Sequence, residues 1–149
     1  MKLGDYVEKD LVLPNLTSGN KSEVLAELIA PLGVINPEMD TDQAVRVLLD
    51  RESLGTTGIG DGIAIPHGKL EGLDKVIVVI GRSLEGIDFD ALDHKPCSIF
   101  FLVLAPEQAA GTHLRLLAQI SRVLKDEAFR QEFMGVTDID GMFKLLKDV

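Results

Sequence analysis

The 149-residue chain has no tryptophan, one tyrosine, one cysteine and three histidines, and its 15 lysines and arginines are outnumbered by 24 acidic residues. Each shortage excludes something. With Cys97 alone there is no internal disulfide framework. A net charge of -9 without clustered Lys and Arg offers no surface to a phosphodiester backbone, so no nucleic-acid role is expected, and an acidic body suits a basic protein partner. His67, His94 and His113 stand far apart, without the short ligand spacings of zinc sites, and no bound metal is expected. No run reaches the roughly 18 apolar residues of a membrane span. The first ten residues are too polar for a signal peptide. The expectation is a cytoplasmic protein with no membrane insertion.

What remains is the composition of a globular chain, 46% hydrophobic and 26% charged, of a size that buries roughly 70% of its unfolded surface in one core. A single domain over residues 1–149 is expected. Residues 11–13 form an apolar run ended by Pro14, consistent with an edge strand. Asn20 and Glu23 have capping-box spacing and precede a helical face of Val24, Leu25, Leu28, Ile29 and Leu32, with Gly33 as the stop. Asp40 and Gln43 repeat the signal before Ala44, Val45, Leu48 and Leu49, with Arg51 in the last turn and Gly55 closing the helix. Residues 76–80 and 97–105 are continuous apolar runs, as in strands covered on both faces. The stretch between them, 83–96, reads as polar turns with His94 in a solvated loop. Residues 112–125 form a helix with Thr112 as N-cap; a wheel centred on Leu117 turns His113, Leu114, Ile120 and Leu124 inward. A short segment at 127–133 and a last helix at 138–147 complete the chain, the latter offering Met142, Phe143 and Leu146 to the core. With no internal repeat, the pattern is that of one α/β domain.

The chain is organised around residues 51–68, where Gly55, Gly58, Gly60, Gly62 and Gly68 surround a short apolar strand that ends in Pro66 and His67. Glycine lets a backbone fold tightly, and such segments expose N–H groups that can cradle an anion. Pro66 stiffens the approach to His67, and Gly68 leaves space beside the imidazole. The Walker pattern fails here, because Gly62 stands one residue too far from Gly68-Lys69 and Leu70 follows; the dinucleotide fingerprint fails because Ile63 occupies the place of its third glycine. Spacing alone leaves His67 open between a structural turn and a presented side chain. It leaves His113 open between a core histidine and a member of an anion site at a helix start. A histidine without metal ligands or a neighbouring serine can itself be a nucleophile, since neutral imidazole attacks phosphorus without a general base. Arg51, the loop amides and the start of the His113 helix could supply the phosphoryl oxygens with donors.

Arg51-Glu52, Thr57-Gly58-Ile59-Gly60, Gly62-Ile63-Ala64-Ile65-Pro66-His67-Gly68 and Thr112-His113-Leu114 resemble the IIA domains of the fructose and mannitol class of the bacterial phosphoenolpyruvate-dependent phosphotransferase system. The resemblance covers essentially the whole chain. It implies a mixed β-sheet flanked by helices on both faces, and a His67 that takes a phosphoryl group from the histidine phosphocarrier HPr and passes it to a cysteine of a IIB domain. It implies Arg51 as the supporting cation and His113 as the second active-site histidine, with no cofactor. Cys97, inside its expected strand, is expected to be buried and inert. The Arg-Glu-Ser-Leu-Gly-Thr-Thr-Gly-Ile-Gly start at residue 51, in a chain ending at Val149 without an appended IIB or IIC segment, is similar to free-standing nitrogen-branch IIA proteins, which act on regulatory targets. The alternatives are a stand-alone IIA subunit for fructose- or mannitol-type uptake, and an anion-binding domain without covalent chemistry.

Overall fold

A computed structural model describes residues 2–149. Its centre is β6 (Cys97–Ala105), paired antiparallel with β5 (Ile77–Ile87), and every residue of β6 except Ser98 is buried. The short β1 (Val12–Leu13) runs parallel to β5 at one edge. On the other side β3 (Ile63–Ala64) and β4 (His67–Lys69) both run parallel to β6, Ile63 beside Ile99 and His67 beside Val103, while β2 (Gly58–Gly60) folds back antiparallel on β3. β3 and β4 are thus one strand interrupted at Ile65-Pro66. Proline has no N–H to give the ladder, but its carbonyl still accepts from Val103 N–H at 2.9 Å.

Alternation along the strands divides the core in two. Ile99, Phe101 and Val103 face α3 (Ala110–Lys125), α4 (Glu127–Gly135) and α5 (Ile139–Lys147), whereas Phe100, Leu102 and Leu104 face α1 (Lys21–Ile35) and α2 (Thr41–Ser53). The result is the expected mixed sheet with helices on both faces. The helix starts follow their sequence signals: Asn20 Oδ1 accepts Glu23 N–H and Asp40 Oδ1 accepts Gln43 N–H, each at 3.0 Å.

Several boundaries differ from the expectation for physical reasons. α1 runs through Pro31 and Gly33 to Ile35, because Leu32 is still needed in the core and its carbonyl accepts the capping Asn36 N–H. β5 continues past Gly81 to Ile87, so the first five residues of the supposed turn region are strand. Gly81 is a close approach there, since a Cβ would stand 2.7 Å from Leu16 Cδ1 and 2.8 Å from Leu28 Cδ2. The following Arg82 is buried: Nε donates to Pro14 O, and Nη1 donates to the carbonyls of Phe133, Met134 and Val136 at the end of α4. Burial lowers its pKa, yet the four carbonyls and the negative end of the helix dipole compensate the cation without any carboxylate. Finally, α3 starts at Ala110 after a 3-10 turn at Glu107–Ala109, so Thr112 is not its N-cap and His113 lies beyond the first three amides. Its buried stripe is His113, Leu116, Ile120 and Leu124; Leu114 is 69% exposed, so the wheel is centred away from Leu117.

Candidate functional site

His67 opens β4, and because parallel neighbours share a face it lies with Val103 on the α3 side of the sheet. Its Nδ1 is 2.9 Å from Ile65 O. A carbonyl only accepts, so Nδ1 carries the proton and Nε2 keeps the lone pair, the tautomer a nucleophilic Nε2 requires. The kink at Ile65-Pro66 makes this bond available by turning that carbonyl back toward the ring two residues on.

His113 meets His67 edge to face, with ring centroids 5.7 Å apart and planes at 75°. Its Nε2 is buried without a hydrogen-bond partner, the one such side-chain atom among the described residues. Leaving a buried polar atom unpaired costs about 1–3 kcal/mol, so an atom kept in that state beside an open cleft needs an explanation. Burial, then the proximity of His67 and Lys69, pushes the His113 pKa below its ordinary value, and the ring is neutral at pH 7. The folded chain therefore binds the His113 proton less readily than the unfolded chain. The penalty is absent above the unfolded pKa of about 6.5 and grows as the pH falls through the window between that value and the lower folded one. Replacing His113 with Gln should weaken the loss of stability between about pH 7 and pH 5, as read by urea midpoints across that range.

Arg51 comes from the last turn of α2 and donates Nη1–H to Gly55 O at 2.9 Å. It lines two adjoining clefts with His67. One, about 560 Å³, adds Asp50, Leu54, Gly68, Lys69 and His113; the other, about 180 Å³, adds Thr57, Ile65, Leu117 and Ser121. Gly68 does not leave room for a ligand, as expected from sequence: a Cβ there would lie 2.7 Å from Val47 Cγ1. The absent side chain instead lets α2 press on β4, which carries Arg51, one turn beyond Val47, to the His67 cleft.

Five amides of the expected loop cradle already have partners within the protein. Gly55 N–H donates to Glu52 O, Thr57 N–H to Glu52 Oε1, Gly58 N–H to Thr56 Oγ1, Asp61 N–H to Asp93 Oδ2 and Ile65 N–H to Thr57 O. These donors are spent on holding a hairpin whose turn, Gly60-Asp61-Gly62, takes positive φ at all three residues. The start of α3 is likewise displaced from His113. Arg51, Lys69, His67 and His113 line the cleft where an anion would enter.

Two residues of the loop have duties that spacing did not reveal. Glu52 is 6% exposed and its carboxylate accepts both the N–H and the hydroxyl of Thr57, while Lys21 Nζ stands 3.1 Å from Glu52 Oε1 and 4.8 Å from the Phe89 ring centroid. Elsewhere, Cys97 is fully buried and its thiol pKa is pushed up to about 11 by burial, which keeps it unreactive as expected. His94 sits in an exposed turn at positive φ, away from the cleft.

A histidine pair with a lysine and an arginine around an open cleft, on a mixed sheet covered by helices, is the equipment of a module that handles phosphoryl groups. Residues 5–149 match the family model described as phosphoenolpyruvate-dependent sugar phosphotransferase system, EIIA 2, and the chain belongs to that family. Among its relatives, a nitrogen regulatory protein of Bradyrhizobium diazoefficiens is 38% identical over 98% of this chain and 95% of its own length. A fructose-specific EIIA component of Haloferax volcanii is 40% identical over 81% of this chain and 77% of its own. The nitrogen regulatory protein IIA-Ntr of Neisseria meningitidis superposes with a TM-score of 0.88 at 29% identity, over 96% of this chain and 97% of that one. The Escherichia coli mannitol IIA, solved in complex with phosphorylated mannitol IIB, has the same fold, with a TM-score of 0.73 at 23% identity over 96% and 98% of the two chains. The chain is thus a IIA phosphoryl-transfer component of the phosphotransferase system.

Proposed function

We propose that His67 is the residue that carries the phosphoryl group, through Nε2, in a domain spanning residues 1–149 of a cytoplasmic protein. The observation that supports this reading above the others is the Nδ1 to Ile65 carbonyl bond, which leaves the Nε2 lone pair in a cleft that also holds two cations and a second imidazole. The Nε2 lone pair forms a bond to phosphorus while the bond from phosphorus to the donor's nitrogen breaks, and the donor is an HPr-type phosphocarrier. Charge on the transferred group falls to Arg51, and the unpartnered Nε2 of neutral His113 is placed to engage a phosphoryl oxygen as the group arrives. No cofactor is required. Leu54, Ile59 and Leu114 are 84%, 48% and 69% exposed; Leu54 and Ile59 line the two clefts and Leu114 adjoins His113, an apolar rim suited to protein partners.

The nitrogen-branch reading, in which the phosphorylation state of His67 controls regulatory targets, is favoured by the match to the Bradyrhizobium relative along nearly the full length of both chains. The second reading, donation to a IIB cysteine in fructose-type uptake, has the Haloferax relative in its favour. Incubation with phosphoenolpyruvate, enzyme I and HPr, followed by mass spectrometry, should give one acid-labile phosphoryl group per chain, on His67. Absence of any such adduct rejects the assignment. Arg51→Ala should keep the fold and slow the transfer by more than about tenfold in the same assay, the scale of a lost charged hydrogen-bond donor; an unchanged rate removes Arg51 from the site.

A further inference from the structure

Behind the cleft lies a chain of hydrogen bonds that ends on the nucleophile and contains no residue of the cleft's cationic equipment. Lys21, the first residue of α1, contacts the buried carboxylate of Glu52 at the end of α2. That carboxylate holds Thr57 by two bonds, to its N–H at 2.9 Å and to its hydroxyl. Thr57 O accepts Ile65 N–H at 3.1 Å, and Ile65 O accepts His67 Nδ1–H at 2.9 Å. Thr57 is 4% exposed and Glu52 6%, so water does not compete at the first links. Burying a carboxylate is costly, and Lys21 and two Thr57 donors satisfy it at this one place, where the loop leaves α2.

We propose that Glu52 is a positioning residue for phosphoryl transfer: through Thr57 it fixes the peptide of Ile65, whose carbonyl holds His67 in the Nδ1–H tautomer. The proposal rests on His67 being the phosphoryl carrier. Glu52 touches neither His67 nor the cleft, so it acts only through the backbone between them. Without the clamp the 56–65 hairpin remains paired to β6 through β3, but the Ile65 carbonyl is free to rotate away from the ring. The imidazole proton then distributes between Nδ1 and Nε2, and the Nε2–H fraction cannot attack phosphorus.

Thr57→Val preserves shape while removing the hydroxyl, Thr57→Ser restores it, and Glu52→Gln removes the charge. The first measurement is a long-range 15N–1H spectrum of the histidine ring at pH 8, which reports the tautomer and needs no phosphoryl donor. The second is the rate of phosphoryl uptake from HPr. The expected result is an Nδ1–H ring in the natural protein and in Thr57→Ser, and a tautomer mixture in Thr57→Val and Glu52→Gln. Uptake should be slowed about tenfold in both altered variants, and no further in the double variant, as for residues of one unit. Folded variants with an unchanged His67 tautomer overturn the proposal, whether or not uptake slows. If Glu52→Gln does not fold, the Thr57→Val and Thr57→Ser pair decides alone. Failure of the natural protein to take up phosphate rejects His67 as the carrier, while the tautomer spectra still decide whether the clamp exists.

Discussion

His67→Ala should abolish phosphoryl acceptance, with a loss of about 10³-fold or more, the scale expected when a covalent nucleophile is removed and no neighbour can replace it. The neighbours argue for so complete a loss. His113 is buried and meets His67 edge to face, and the Arg51 guanidinium is engaged with Gly55 O and has donors only. Lys69 shares the cleft but follows His67 by two residues on the strand, at the β4 end away from Ile65. His67 is half-buried and its one protein hydrogen bond is to a local carbonyl, so its truncation should cost no more than about 1–2 kcal/mol of stability. Labelling from phosphorylated HPr, compared with the natural protein at equal folded concentration, measures the effect. Retention of label by the variant on His113 would transfer the nucleophile's role to the second histidine.

The largest expected effect on stability lies elsewhere, at Arg82. Changing it to Met keeps the length of the stem but removes every donor to Pro14, Phe133, Met134 and Val136, and leaves the end of α4 with unmatched carbonyls inside the protein. Each buried acceptor left without a donor costs about 1–3 kcal/mol, and some carbonyls recover water at the α4 end, so a net loss of about 3 kcal/mol is expected. For a chain of this size that is a fall of roughly 10 °C in Tm. Arg82→Lys should recover only part of it, because a single ammonium cannot span the carbonyls that the planar fork reaches. The Arg82 side chain touches none of the residues that line the cleft, so the folded fraction should take up phosphate at the natural rate. A Tm within about 2 °C of the natural protein would show that these carbonyls are satisfied without it.

The parts of the site that were legible in the sequence are those that local spacing defines. Pro66 before His67, Arg51 in the last turn of a capped helix, and His113 on the inward stripe of α3 follow from patterns a few residues long. The core strand at 97–105 was legible because its nine residues are apolar but for Ser98 and include an unbroken run from Ile99 to Ala105. Misreadings arose where a residue's meaning depends on something distant in sequence. The apolar run suggests a strand ending at residue 80, yet the strand goes on because Gly81 accommodates α1 and Arg82 is satisfied by α4. Gly68 looks like a gap for a ligand until α2 is placed against it. Thr112 has a good capping side chain, but the helix begins earlier and Thr112 Oγ1 instead accepts from Arg115. Glu52 is the plainest case. Beside Arg51 it reads as one more charge at a helix end, and only the approach of Lys21 and Thr57 makes it a buried anchor.

The glycine-rich stretch joins α2 to the strand that carries His67. Five of its amides hold the hairpin, and the Ile65 carbonyl stands 2.9 Å from Nδ1 of His67. On the proposed reading the chemistry depends on which nitrogen of His67 is free. Uniformly 15N-labelled protein, phosphorylated through enzyme I and HPr and observed by 15N and 31P NMR, measures this directly. The expected spectrum has phosphorus bonded to Nε2 of His67, with a proton retained on Nδ1. Phosphorus on Nδ1, on His113, or on neither histidine would contradict the account.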